Sequence, residues 1–224
     1  FGGSFENLWI GDTQSFTEHR YGIEFRYDAI DTVGLYRTIN REIRSPIRED
    51  QIDESSLSSF YELSVDFPEN WRAVLGLRAD AYKFKVKSKD NHNFGDDSDF
   101  IVSPKASIAY AFSNNNEMYF SFGNGFHSND ARGIITFSDP ITREKLEPAD
   151  PLVKSTGLEW GIKTLINNQL NTSLAIWSLE LDSELLFVGD AGTTEPNRPS
   201  KRWGIEFNNL WSINEVWSLE ADFA

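Results

Sequence analysis

Gly157-Leu158-Glu159-Trp160-Gly161-Ile162-Lys163 says the same thing twice: glycine, a branched aliphatic, then a charge. The phrase returns at Gly22-Ile23-Glu24, Gly76-Leu77-Arg78 and Gly204-Ile205-Glu206. Side chains alternate between the two faces of a strand. Each phrase therefore sets an aliphatic on one face, and a glycine and a charge on the other. The apolar positions extend with the same period through Tyr21, Ile23, Phe25 and Tyr27, through Ala106, Ile108, Tyr110 and Phe112, and through Trp203, Ile205 and Phe207. A soluble sandwich also alternates. Here the polar face carries charges of both signs in strand after strand, and the apolar face is rich in aromatics. That is the dyad pattern of a transmembrane β-barrel, with lipid outside and a wet or plugged lumen inside.

The composition is compatible with this. The chain has 224 residues and a formal net charge of -14, which would repel phosphates and argues against a nucleic-acid partner. Mean hydropathy is -0.45. A barrel crosses a membrane with half its strand residues polar, so a low average does not exclude it. No apolar run approaches the roughly 20 residues that a spanning helix needs. Aromatics reach 14%, with seven Trp, which suits interfacial girdles. There is no Cys, so disulfide and thiolate chemistry are absent. No cofactor or metal site is expected. The chain opens on Phe1-Gly2-Gly3 without an initiator Met and stops at Ala224 inside an alternating run, so the reading is of an internal fragment of a longer protein.

Eleven strand candidates follow: 4–10, 20–29, 33–44, 56–67, 71–87, 100–112, 117–126, 154–166, 170–181, 200–210 and 216–224. Their connections alternate in length. The short ones are Ile30-Asp31-Thr32, Pro68-Glu69-Asn70, 113–116, Asn167-Asn168-Gln169 and Ser212-Ile213-Asn214, all with turn chemistry. The long ones are 11–19, 45–55, 88–99, 127–153 and 182–199. Tight turns at one end and long loops at the other characterise up-and-down outer-membrane barrels. Within strand 71–87 the odd positions are apolar from Trp71 to Ala81 and then become Lys83, Lys85 and Lys87, so this strand is expected to leave the bilayer near Ala81, with its lysines toward lipopolysaccharide or water.

Three stretches resemble the barrel of TonB-dependent outer-membrane receptors. They are Trp71 to Asp80 with its Gly76-Leu77-Arg78-Ala79-Asp80, Ser103-Pro104-Lys105 through Gly123-Asn124-Gly125-Phe126, and Leu146-Glu147-Pro148 through Gly157–Lys163 followed by Gly204-Ile205-Glu206. The resemblance implies an all-β, antiparallel up-and-down transmembrane barrel of about 22 strands, of which residues 1–224 would supply about half as a single partial barrel domain. It implies active import of a scarce ligand, commonly a chelated metal such as a ferric siderophore. It also implies partners: outer-membrane lipid and lipopolysaccharide, the protein's own plug domain, the TonB complex through the N-terminal part, and a small-molecule ligand. After Phe126 many siderophore and haem receptors continue Arg-Ala-Pro. Here the chain reads His127-Ser128-Asn129-Asp130-Ala131-Arg132, which leaves the substrate class open. The Gly189–Pro196 loop has the flavour of a distinct subgroup.

Two sets of candidate residues emerge. His127, Asp130 and Arg132 stand where a lumen-side strand exits into the longest loop, and could present donors and an acceptor to a ligand; neighbouring Asp and Arg could equally satisfy one another. Glu24, Arg72, Arg78, Asp80, Glu159, Lys163 and Glu206 are expected on the lumen face, paired between neighbouring strands or docking a plug, because buried charges persist only when paired or wet. Asp96, Asp97 and Asp99 form an acidic loop without calcium-loop spacing. Three rivals stand beside the importer: a passive porin, a barrel enzyme for which His19, His92 and His127 supply no motif, and a soluble sandwich, disfavoured by the loop parity.

Overall fold

Ten strands form one antiparallel sheet in strict chain order. The computed structural model describes residues 1–11, 16–89, 92–183, 185–188, 193–196 and 198–224. The strands of the sheet are β1 (Gly2–Gly11), β2 (Thr17–Ile39), β3 (Glu42–Phe67), β4 (Trp71–Ser88), β5 (Gly95–Ser113), β6 (Asn116–Ser128), β7 (Leu152–Ile166), β8 (Leu170–Leu181), β11 (Ser200–Ser212) and β12 (Ser218–Phe223). Between β8 and β11 a small hairpin, β9 (Leu185–Val188) with β10 (Thr193–Pro196), forms a separate two-stranded sheet. Of the Gly189–Pro196 loop, Gly189 to Gly192 lie outside the described residues. The sheet is open, with β1 and β12 at its edges.

The registers carry the apolar face across most of the wall. Phe5 faces Ile23, Ile108 faces Phe120, Phe120 faces Trp160, Trp160 faces Ile176, and Ile176 faces Ile205. Partners in an antiparallel ladder share a face. The large apolar side chains on this face are exposed: Ile23, Phe25, Leu75, Leu77, Ile108, Phe120, Trp160, Ile176, Ile205 and Phe207 all are. A continuous apolar surface of this extent on one face marks a lipid- or protein-facing wall. From Trp71 to Ala81 the band spans about 25 Å once strand rise and a tilt near 45° are combined. Its turn-side edge carries the stacked rings of Trp71 and Tyr110, with centroids 4.6 Å apart. Trp217, read as lying inside a strand, sits in the turn before β12.

Four of the phrase glycines are seats for a neighbour's side chain. A Cβ at Gly161 would stand 2.6 Å from the Tyr119 ring, and one at Gly204 would stand 2.8 Å from the Trp177 indole. At Gly76 the Lys105 chain passes 2.5 Å from that position, and at Gly22 the Phe60 ring passes at 2.8 Å. A large side chain thus lies flat across each glycine on the next strand, where any other residue would displace it. Gly157 faces Gly123 and meets only ordinary contact at 3.8 Å.

One stretch departs from the sequence reading. Ile30-Asp31-Thr32 is not a turn, and 45–55 is not a loop. β2 runs through the first and β3 through the second, paired with register shifts at Ile30/Val33, Leu35/Tyr36 and Arg37/Thr38, and the chain turns at Asn40 and Arg41, both at positive φ. The two candidates 20–29 and 33–44 therefore belong to one hairpin, and the main sheet has ten strands rather than eleven. Its upper half is a two-stranded arm that takes the place of a long loop. Bulges let a ladder bend without ending, which is why turn-forming Asp31 and Thr32 do not stop it. The run from Gly95 is likewise strand, not loop. With the arm in place, the connection 12–16, expected as the long loop 11–19, falls at the same end as the short turns 68–70, 114–115, 167–169 and 213–217. At the other end lie the arm, residues 89–94, 129–151 and 182–199.

At this second end the inner face changes character. Ser58 and Asp80 face inward in the middle of the wall. Farther along the same face come Ile52, Phe84 and Val86, which are buried. They are covered by Ala131, Ile134 and Ile135, from the single-turn helix α1 (Ala131–Ile134) and the residue after it, with Leu152 beside them. The long loop 129–151 is thus packed onto the inside of β3 and β4. Each fully buried side chain of this size contributes about 1.5–3 kcal/mol relative to exposure.

Candidate functional site

The inner wall is a lattice of charges joined across strands. Arg78 reaches over β3 to Glu24 Oε2 at 2.7 Å and along its own strand to Asp80 at 3.0 Å. Asp80 is fully buried and also accepts from Ser58 Oγ at 2.6 Å. Burying a carboxylate is costly unless it is paired and hydrogen-bonded, and both conditions hold here. Arg72 donates to both Glu117 oxygens, at 2.9 and 3.1 Å. Glu159 accepts from the Tyr119 hydroxyl, and Lys163 Nζ lies 4.9 Å from the centroid of the same ring. Glu206 shares a shallow recess with Glu159 and Trp177. All seven residues expected on the lumen face lie on the face opposite the apolar band.

A cavity of about 320 Å³ opens on this wall, lined by Glu24, Glu62, Arg78, Ser103, Lys105 and Asn124 among others. Lys105 pairs with Glu62, and Arg20 lies 2.6 Å from Glu6 and 3.8 Å from Glu62. Two buried atoms in its lining, Ser103 Oγ and Asn124 Oδ1, have no hydrogen-bond partner. They flank a fork. β5 and β6 pair only as far as Lys105 and Gly123, beyond which β5 continues beside β4 and β6 beside β7.

At the mouth, Asp130 and Arg132 come together and His127 does not join them. Asp130 caps α1, accepting from the Arg132 backbone N–H at 2.8 Å and from its guanidinium at 2.6 Å. Burial alone would raise the Asp130 carboxyl. The Arg132 side chain and backbone outweigh it and hold the carboxyl below the usual carboxylate range. Arg132 is raised, chiefly by that hydrogen bond. His127 sits in β6 opposite Val153, half-buried. The pair on α1 is therefore a helix cap and ion pair that fixes the loop. Beside it lie two buried charges that the sequence reading missed. Arg48 and Asp50 are bonded to each other, and Arg48 Nη1 donates to Thr136 Oγ1 at 2.7 Å. They fall within 45–55, expected as a loop. The signal that marks them is the alternation Arg48, Asp50, Ile52 continuing the inward face of β3.

An open wall of ten antiparallel strands, lipid-type outside and charge-laced inside, has tight turns at one end and long extensions at the other. The family model for the TonB dependent receptor-like β-barrel matches residues 2–224. The chain belongs to the TonB-dependent receptor family. The ferric-pyoverdine BN7/BN8 receptor of Pseudomonas putida is 25% identical over 181 residues, 77% of this chain and 21% of that receptor. The chain therefore spans about a fifth of the length of this curated relative. Among solved structures, the unliganded ferric citrate transporter FecA is similar at a TM-score of 0.73, with 12% identity over 99% of this chain and 34% of that one. BauA, the ferric preacinetobactin receptor of Acinetobacter baumannii, is similar at 0.72, with 14% identity over 99% of this chain and 35% of that one. The copper transporter OprC is similar at 0.72, with 14% identity over 99% of this chain and 36% of that one. At these identities the structural likeness carries the fold. TonB-dependent receptors are outer-membrane β-barrels, and the wall described above has the fold of such a barrel.

Proposed function

We propose that this chain forms part of the wall of an outer-membrane importer that takes up a chelated ferric ion, driven through TonB, with a plug domain seated against the inner face. The observation that carries the reading is the inner-wall cavity. It is lined by paired charges and polar groups, Glu24 with Arg78 and Glu62 with Lys105, beside Ser103 and Asn124. Such a recess suits a polar body packed on this wall rather than lipid. Glu24, Arg72, Arg78, Asp80, Glu159, Lys163 and Glu206 are its docking surface. The ferric-pyoverdine receptor among the relatives supports the ligand class. The open edges at β1 and β12 leave unpaired backbone groups that lipid cannot satisfy, so further strands of the whole receptor close the wall.

One observation favours a passive channel instead. The loop 129–151 folds onto the inner wall, as a pore-constricting loop does. Whole-cell uptake of a ferric siderophore, with and without collapse of the inner-membrane proton gradient, separates the two. The importer reading expects saturable uptake that stops when the gradient is lost. Uptake that ignores the gradient and rises linearly with concentration selects the channel.

A further inference from the structure

We infer that Glu54 is a proton-operated latch for the long loop: set at the seat of α1 among other carboxylates, it holds loop 129–151 firmly when protonated and loosens it when ionised. The latch does not depend on the import reading, and none of its groups lines the inner-wall cavity.

The registers place the carboxylates. Leu57 and Ala81 are partners at the edge of the band, and Glu54 lies three residues farther along β3. Its row across the inner face reads Asp28, Glu54, Phe84, Asp97. The row on the band side reads Arg26, Ser56, Tyr82, Asp99, and the row on the mouth side reads Ile30, Ile52, Val86, Gly95. Ile52, Phe84 and Val86 are the apolar patch that α1 and Ile135 cover, so Glu54 borders that seat, half-buried. The loop brings a carboxylate of its own, Asp130, which caps α1. The charged and titratable groups around the seat are therefore Arg26 and Asp28 from β2, Tyr82 from β4, Asp97 and Asp99 from β5, and Asp130 and Arg132 from the loop.

Most of these carboxylates are occupied. Asp28 lies 2.6 Å from Arg26, and Asp130 lies 2.6 Å from Arg132. Asp97 and Asp99 each accept the next backbone N–H at 2.7 Å. Glu54 has no ion pair or hydrogen bond among the described residues. Asp28 stands directly opposite it, and like charges directly opposite in a ladder repel. Burial pushes the Glu54 carboxyl up; Arg26 pulls it down, Asp28 and Asp130 push it up again, and the net is a raised carboxyl. Asp130, held low by Arg132, stays ionised where Glu54 titrates, so its push lasts as long as the loop is seated. Lifting the loop relieves the burial and the Asp130 charge, and the Glu54 carboxyl returns toward the ordinary glutamate value. The seated loop thus binds the proton more tightly than the lifted one. Seating is strongest below the ordinary glutamate value, weakens as pH rises through the raised value, and stays weak above it.

The test is amide hydrogen exchange on the whole receptor in detergent, with protection factors for residues 131–137 followed from about pH 4.5 to about pH 7.5. Protection should fall as pH rises, by up to about tenfold for each unit by which the carboxyl is raised, while residues 116–122 in the band hold theirs. Glu54→Gln removes the charge and keeps the shape, so it should show the acid-side protection at every pH. Asp28→Asn removes the opposing charge and should shrink the step. His127→Gln, in β6 opposite Val153, should leave the step in place, which separates the carboxyl from an imidazole. Wild-type protection that ignores pH, a step that survives Glu54→Gln, or a step abolished by His127→Gln overturns the inference.

Discussion

The strand β4 is two different surfaces end to end. Between Trp71 and Ala81 its odd residues face outward and are apolar, and its even residues face inward and include the charges Arg72, Arg78 and Asp80. Beyond Ala81 the odd residues are Lys83, Lys85 and Lys87, all exposed, and the even residues Phe84 and Val86 are buried beneath the long loop. The period never changes, but the polarity inverts. Alternation reports that a strand has two faces; only the surrounding medium decides which face is apolar. We read the medium outside the band as lipid and past the band as water, where the apolar side chains find cover inward, under α1. The outward lysines there are matched by carboxylates: Lys87 lies 3.8 Å from Asp53, and Lys85 stands opposite Asp96 in the ladder.

Substitutions on the two halves should therefore obey opposite rules. The largest effect is expected at Phe84. Phe84→Ala should cost about 3–5 kcal/mol of local stability, as for other fully buried phenylalanines. Hydrogen exchange should show protection lost in loop 129–151 while the band keeps its own. A loss spread evenly over the sheet would mean that the two halves are one unit. Next comes Ile162→Arg, on the outward face of the band, which should cost about 2–4 kcal/mol near the bilayer midplane. Lys83→Leu, outward but past the band, should be nearly neutral. The assay is folding of the whole receptor into lipid vesicles, and equal sensitivity at the two positions would erase the boundary at Ala81. Smaller again is Gly161→Ala, which must displace the Tyr119 ring and should cost about 1–3 kcal/mol as overpacking. Gly157→Ala has open space and should cost less, measured by urea unfolding from vesicles. A reversed order would show that the glycines serve turn or twist rather than as seats.

Much of this was legible in the sequence because the band is long and its period regular. Ile23, Ile108, Trp160 and Ile205 declare the outer face, and Glu24, Arg78 and Glu159 the inner one. The ion partners were harder to see, because Glu24 with Arg78 and Arg72 with Glu117 are joined by register, and register is not written in either strand alone. The arm departs from the sequence reading because Asp31 and Thr32 have turn chemistry yet sit at a bulge, while the turn itself uses Asn40, which tolerates positive φ, with Arg41, which carries no such signature. That error hid Arg48 and Asp50. The packing of the long loop has no signal in its own sequence: Ile134 and Ile135 close the inner face, so removing 134–145 would uncover Phe84 and Val86.

The inversion along β4 admits a direct measurement, helped by the absence of any Cys in the chain. Single cysteines at Ala73, Ala79, Ala81, Lys83 and Lys85, and at the even positions Val74 and Arg78, are spin-labelled in the whole receptor folded into lipid vesicles. Accessibility is then compared between oxygen, which partitions into lipid, and a water-soluble nickel chelate. Labels at 73, 79 and 81 should favour oxygen, those at 83 and 85 should favour the chelate, and the even positions should not see lipid at all. Labels at 83 and 85 that remain as oxygen-accessible as those at 73 and 79, or even positions that report lipid, would contradict the account.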